Sequence, residues 1–240
     1  MTASRRRLMP RCAALIGMLL GMPPAVQGAD DASATSPSAT ALTRGRALAA
    51  ACAACHGTDG NATAEAFPKL AGQHAAYLAQ QLAEFKAGAA AGAARTGKRA
   101  AASAADAAGP AALRISPAMN AQAAALSARD MQDLAAYYAA QPLRAAYATD
   151  AAAAARGARI WRGGIAARQV PACAACHGAA GAGLPPLYPR LAGQWAGYLR
   201  QQLAAFARGA RGPQTPMHAI AAALDSAQMR DVAEFASGLR

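Results

Sequence analysis

The pentapeptide Cys-Ala-Ala-Cys-His occurs twice, at Cys52 to His56 and at Cys173 to His177, 121 residues apart. A Cys-x-x-Cys-His run is the attachment site of c-type haem. Its two thiols add across the porphyrin vinyl groups, and the adjacent imidazole ligates the iron. A redox-active dithiol or half of a zinc site also uses Cys-x-x-Cys, but neither chemistry requires the histidine that follows both copies here. The chain is therefore expected to carry two covalent haem c groups, held by Cys52 and Cys55 and by Cys173 and Cys176. His56 and His177 would be iron ligands.

The fifth cysteine, Cys12, lies in a segment with the pattern of a secretory signal. Arg5, Arg6, Arg7 and Arg11 form a positive start, an apolar stretch runs from about Ala13 to Met22, and small residues surround Gly28 and Ala29. Residues 1–28 are read as a cleaved signal peptide and the protein as periplasmic. The apolar stretch is about half of the roughly 20 residues a spanning helix needs. Loss of residues 1–28 removes four arginines and no acid, so the formal charge falls from +12 to +8. That balance suits an acidic redox partner or peripheral association with an anionic membrane surface. Export, and the lack of a basic stripe interleaved with aromatics, argue against nucleic acid.

The remainder of the chain is an internal repeat. At the same offset of 121, Pro68-Lys-Leu-Ala-Gly-Gln73 matches Pro189-Arg-Leu-Ala-Gly-Gln194. Tyr77-Leu78, Gln80-Gln81-Leu82, Phe85 and Gly88 also find identical partners. Matching resumes at an offset of 98, with Met119 against Met217 and Met131 against Met229, so the first copy holds about 23 extra residues. Two domains follow, 41–142 and 152–240. An Ala-rich insert lies near 89–112, and a linker in which Pro142 stops the preceding helix joins the domains. The insert, with Arg95, Lys98 and Arg99, reads as a loop able to dock an acidic partner.

Apolar spacing is helical and no strand pattern appears. Tyr77, Leu78, Gln81, Leu82 and Phe85 share one face of a helix that Gly88 can end. Ser127 with Asp130, and Asp225 with Gln228, form capping boxes at two further helix starts. Leu126 with Met131, and Leu224 with Met229, supply the apolar staples beside them.

Only four methionines and two histidines beyond the motifs remain in the mature chain as sixth ligands. Met131 and Met229 already serve as staples. Met119 and Met217 lie in Ser116-Pro-Ala-Met119 and Thr215-Pro-Met217, read as irregular segments where a thioether can approach iron, and they are the preferred ligands. The staple pair remains the alternative. His74 aligns with Trp195, so it reads as a surface residue at a helix start. His218, beside Met217, reads as solvent-facing or supporting.

These motifs resemble the dihaem cytochrome c4 family over residues 43–240. The resemblance rests on Ala-Cys-Ala-Ala-Cys-His-Gly in both halves, on the Pro-x-Leu-Ala-Gly-Gln segments, and on Trp161-Arg-Gly-Gly-Ile165 leading to Pro171-Ala-Cys173. It implies an all-α fold of two tandem class I cytochrome c domains related by a pseudo-twofold axis, with haem propionates approaching across the interface. It also implies axial pairs His56/Met119 and His177/Met217, and hydrogen bonds from the two histidines to the Pro68 and Pro189 carbonyls. Histidine and methionine together fill both axial positions and raise the reduction potential. The implied function is single-electron transfer, not catalysis, from a quinol-oxidising complex or dehydrogenase to a terminal oxidase or reductase. The alternatives are a cytochrome subunit of an enzyme such as a flavocytochrome sulfide dehydrogenase, and a dihaem peroxidase.

Overall fold

In the computed structural model, residues 37–96 and 114–240 are described, with side chains described from 37 to 90 and from 114 onward. Residues 1–36, on which the signal-peptide reading falls, and 97–113, which hold most of the insert, lie outside these. Ten α-helices occur among the described residues. The first five are α1 (Ala39–Ala49), α2 (Ala53–His56), α3 (Ala75–Thr96), α4 (Pro117–Ala124) and α5 (Ala128–Ala139). The second five are α6 (Ala151–Gly163), α7 (Ala174–His177), α8 (Ala196–Ala207), α9 (Pro216–Ala222) and α10 (Ser226–Gly238). Extended pairing among the described residues is limited to isolated bridges.

Each half is organised by a close crossing of its first and last helices, α1 on α5 and α6 on α10. Gly45 and Gly157 make these crossings. A Cβ on Gly45 would land on the Asp133 carbonyl, and one on Gly157 on the Asp231 carbonyl. Beside each glycine an arginine pins the crossing. Arg44 reaches Asp130 and, at 2.6 Å, Asp133, while Arg156 grips Asp231 through two bonds of 2.7 and 2.9 Å. The Arg156 bond holds the Asp231 carboxyl below the usual carboxylate range.

Both capping boxes form as the spacing predicts, with Ser127 and Asp225 as caps. Met131 and Met229 are buried, and Met229 packs in one cluster with Leu224 and Val170. The cores mix large apolar side chains with alanines. Leu78, Leu134, Ala135 and Tyr138 form one, and Ile160, Trp161, Leu199 and Val232 the other. Cys52 packs against the first and Cys173 against the second, so the attachment thiols adjoin apolar walls that a porphyrin would extend.

Two expectations are corrected. Helix α3 does not end at Gly88 but runs on to Thr96, because Ala89, Ala90 and Ala91 follow and alanine has the strongest helix preference. Gly88 has a different job: a Cβ there would strike the Arg114 carbonyl and the Asn120 amide. Its counterpart Gly209 does follow a helix end, at φ +67°, since Gly212 and Pro213 come next. Met119 and Met217 are also not in irregular segments. They lie in the first turns of α4 and α9, where Pro117 and Pro216 occupy opening positions. A proline there starts a helix, because its missing N–H would have had no helical partner.

The segment between the halves has no regular secondary structure and is tied to both. Asn61 donates to the Pro142 carbonyl at 3.0 Å and accepts from the Arg144 amide at 2.7 Å, while the Ala146 amide donates to the Gly193 carbonyl at 2.8 Å.

Candidate haem sites and the seam between them

The two Cys-x-x-Cys-His segments fold alike. Each histidine ends a single helical turn, followed by a glycine at φ +76° (Gly57) or +77° (Gly178). His56 and His177 are both buried, and burial lowers the pKa of each ring despite the opposing hydrogen bond. Both are therefore neutral near pH 7. Nδ1 lies 3.0 Å from the Pro68 carbonyl in His56 and 3.0 Å from the Pro189 carbonyl in His177. A carbonyl can only accept, so Nδ1 carries the proton and Nε2 presents its lone pair, the tautomer an iron ligand requires. Phe67 and Tyr188 stand edge-on to these rings at centroid distances of 6.1 and 6.0 Å.

Burial raises the Cys52 pKa and pushes Cys173 up to about 11. A redox dithiol instead depends on a lowered thiol pKa. Among the described residues no three His, Cys, Asp or Glu side chains converge as a metal cage. The Tyr138 hydroxyl is buried without a nitrogen or oxygen partner, and burial raises its pKa, with the Cys52 thiol alongside adding to the effect. Neutral histidines with free Nε2 and protonated thiols at apolar walls fit a covalently held haem.

Met119 and Met217 are half-buried, whereas Met131 and Met229 are core residues. The residue after each half-buried methionine anchors its helix. Asn120 donates to the Phe85 carbonyl at 2.6 Å, and His218 Nδ1 lies 2.7 Å from the equivalent Phe206 carbonyl. His218 is thus a structural tie rather than a solvent-facing residue. His74 likewise does more than mark a helix start, since its Nε2 lies 2.9 Å from the Ala182 carbonyl of the other half. Trp195, its counterpart, reaches the Ala62 carbonyl at 3.1 Å.

Sequence reasoning assigned no role to the polar residues that join the halves. Lys69 N–H donates to Gln194 Oε1 and Gln194 Nε2 donates to the Lys69 carbonyl, both at 2.9 Å. Gln73 makes the same pair with Arg190, again at 2.9 Å. Farther along, Arg114 reaches Tyr198 and Gln202 of the second half, and Arg211 reaches Tyr77 and Gln81 of the first. The guanidiniums stack on Phe85 and Phe206 at 4.4 and 4.5 Å. Lys69, Gln73, Tyr77 and Gln81 map onto Arg190, Gln194, Tyr198 and Gln202 under the repeat, and Arg114 and Arg211 make reciprocal bonds, so the seam is pseudo-twofold. The signal for it was present: identical Tyr and Gln residues in both copies on an otherwise apolar helix face.

A cytochrome c family model matches residues 42–140 and again 154–239. The chain is 36% identical to cytochrome c4 of Azotobacter vinelandii, over 81% of this chain and 87% of that one. It is 38% identical to a thiosulfate dehydrogenase electron acceptor of Stutzerimonas stutzeri, over 78% of each. The crystal structure of reduced recombinant cytochrome c4 from Pseudomonas stutzeri superposes with a TM-score of 0.71 at 34% identity, covering 83% of this chain and 98% of that one.

Proposed function

Because this chain belongs to the cytochrome c family, as a tandem protein of the cytochrome c4 type, we propose that it is a periplasmic carrier that relays single electrons between a respiratory donor and a terminal oxidase or reductase. Its cofactors are two covalently attached haem c groups, each supplying a one-electron ferric/ferrous couple. Cys52, Cys55, Cys173 and Cys176 would hold them, with His56 and Met119 as the iron ligands of the first half and His177 and Met217 as those of the second. The observation that carries this reading is the matched pair of buried, neutral histidines with Nδ1–H fixed on proline carbonyls, which leaves both Nε2 atoms aimed for ligation. Asn120 and His218 hold the methionine helices in register. Two protein ligands to each iron would leave no coordination site for a substrate, and the apolar side chains packed beside Cys52 and Cys173 would keep water from the metal. The relative named as an electron acceptor of thiosulfate dehydrogenase makes a sulfur-oxyanion dehydrogenase a donor to test beside a quinol-oxidising complex.

Mass measurement and redox titration of the exported protein test the reading. The expected result is the mass of the chain without its first 28 or so residues plus two haems, with two one-electron steps. The ferric spectrum should be low-spin, with a far-red methionine-to-iron band at two-haem intensity. High-spin ferric character with peroxide turnover would favour a peroxidase instead. Met131→Leu and Met229→Leu should leave the methionine band unchanged and cost less than about 1.5 kcal/mol, as volume-conserving core changes do; loss of the band in either would reassign the ligand.

A further inference from the structure

The bonds across the seam end on the same peptide groups that hold the iron-ligating histidines. The Pro68 carbonyl accepts from His56 Nδ1–H at 3.0 Å, and the N–H of that same peptide unit, on Lys69, donates to Gln194 Oε1 at 2.9 Å. The mirror chain runs from His177 Nδ1–H to the Pro189 carbonyl and from Arg190 N–H to Gln73 Oε1 at 2.9 Å. Each histidine is therefore one peptide away from a glutamine of the opposite half. Both glutamines are buried, and their orientation is unambiguous. Each Oε1 accepts two backbone N–H groups, the second from His74 or Trp195 at 3.0 Å, while each Nε2 donates to a carbonyl.

We infer that Gln73 and Gln194 tune the haems crosswise, each setting the electron affinity of the iron held by the other half. Hydrogen bonds in series polarise one another in a low-dielectric interior, by about 10–30% per bond. Donation from Lys69 N–H to Gln194 makes the Pro68 carbonyl oxygen more negative and draws the His56 Nδ1 proton toward it. The ring becomes a more basic ligand, which favours ferric iron. Gln194 is then a positioning residue for the haem on Cys52 and Cys55, and Gln73 for the haem on Cys173 and Cys176. The arrangement makes the potential of each half depend on closure of the seam. A partner that strained the seam would thus shift both haems together.

This inference rests on the two-haem reading above, and mass and spectrum of the same preparation check that reading separately. The test uses the full-length holoprotein with Gln194→Met or Gln73→Met, which keep side-chain length and remove all three hydrogen bonds of the glutamine. Potentials are assigned to each half through the haem methyl resonances. Gln194→Met should raise the ferrous/ferric ratio of the first-half haem at fixed potential by roughly twofold to fivefold, about 20–40 mV at 59 mV per tenfold. The His56 Nδ1 proton resonance of the reduced protein should move with it, and the second-half haem should move less. Gln73→Met should do the reverse. Gln202→Met, which disturbs the same seam at the arginine network without touching either peptide, serves as the control for simple loosening. The inference is overturned if the shift appears in the glutamine's own half, if Gln202→Met reproduces it, or if neither potential nor Nδ1 resonance changes.

Discussion

Met119→His lowers the midpoint potential of the haem on Cys52 and Cys55 by on the order of 0.1–0.2 V and leaves its partner nearly in place; Met217→His does the same to the haem on Cys173 and Cys176. Axial ligand identity is the strongest lever a protein has on haem potential, spanning about 0.8 V across ligand sets. A thioether favours ferrous iron over ferric more than a second imidazole does. The effect should be confined to one half because each methionine sits on its own short helix, anchored separately through Asn120 to Phe85 and through His218 to Phe206. Half of the far-red methionine band should vanish in each single variant and all of it in the double variant, whether or not the new imidazole completes the coordination. A band of undiminished intensity in Met119→His would remove Met119 from the iron and with it the assignment of both sixth ligands.

The local structure around Met119 and Met217 was not legible, and the reason lies in what each signal reports. The staple role of Met131 and Met229 is readable from sequence, since both follow capping residues at staple spacing, and their core burial agrees. Proline marks an irregular segment as readily as a helix start, and only the backbone decides that Pro117 and Pro216 open helices. The same ambiguity governs Gly88. It looks like its partner Gly209, but the alanines after it propagate α3 to Thr96 and its missing Cβ instead makes room for Arg114. Haem attachment is written in five consecutive residues, and so is readable without any fold.

The seam was the least legible part, because a polar side chain whose partner lies 117 or 125 residues away leaves no periodic trace. Gln73 and Gln194 were visible as matched motif residues, and Gln81 and Gln202 as members of a helix face, but matching alone says only that both copies need them. The symmetry breaks at Glu84. Glu84 is buried in the first half and accepts from Gln80 and Gln81 at 2.9 and 3.0 Å, whereas the equivalent residue of the second half is Ala205. The two halves therefore differ in a buried carboxyl group beside the seam residue Gln81.

Gly45→Ala and Gly157→Ala each should destabilise one half by about 3 kcal/mol or more, by the overpacking seen when added atoms have nowhere to go. Two effects compete at these positions. Alanine is a better helix former than glycine by about 1 kcal/mol, which would stabilise α1 or α6 taken alone. Against it stands a Cβ placed on a backbone carbonyl of the facing helix, Asp133 for Gly45 and Asp231 for Gly157. A flexible side chain can swing aside, but a carbonyl inside a helix moves only with the helix. Displacing α5 or α10 would in turn break the Arg44 and Arg156 bonds beside the glycines, so repulsion wins. For domains of about 100 residues, 3 kcal/mol corresponds to a fall in Tm of about 12–24 °C, followed through the helical circular dichroism signal. Gly163→Ala supplies the contrast within the same helix as Gly157. Nothing lies within 4 Å of its added Cβ, and the substitution should be neutral or stabilising by a few tenths of a kcal/mol. Equal Tm values for Gly157→Ala and Gly163→Ala would mean that α6 and α10 do not cross as closely as the glycine implies.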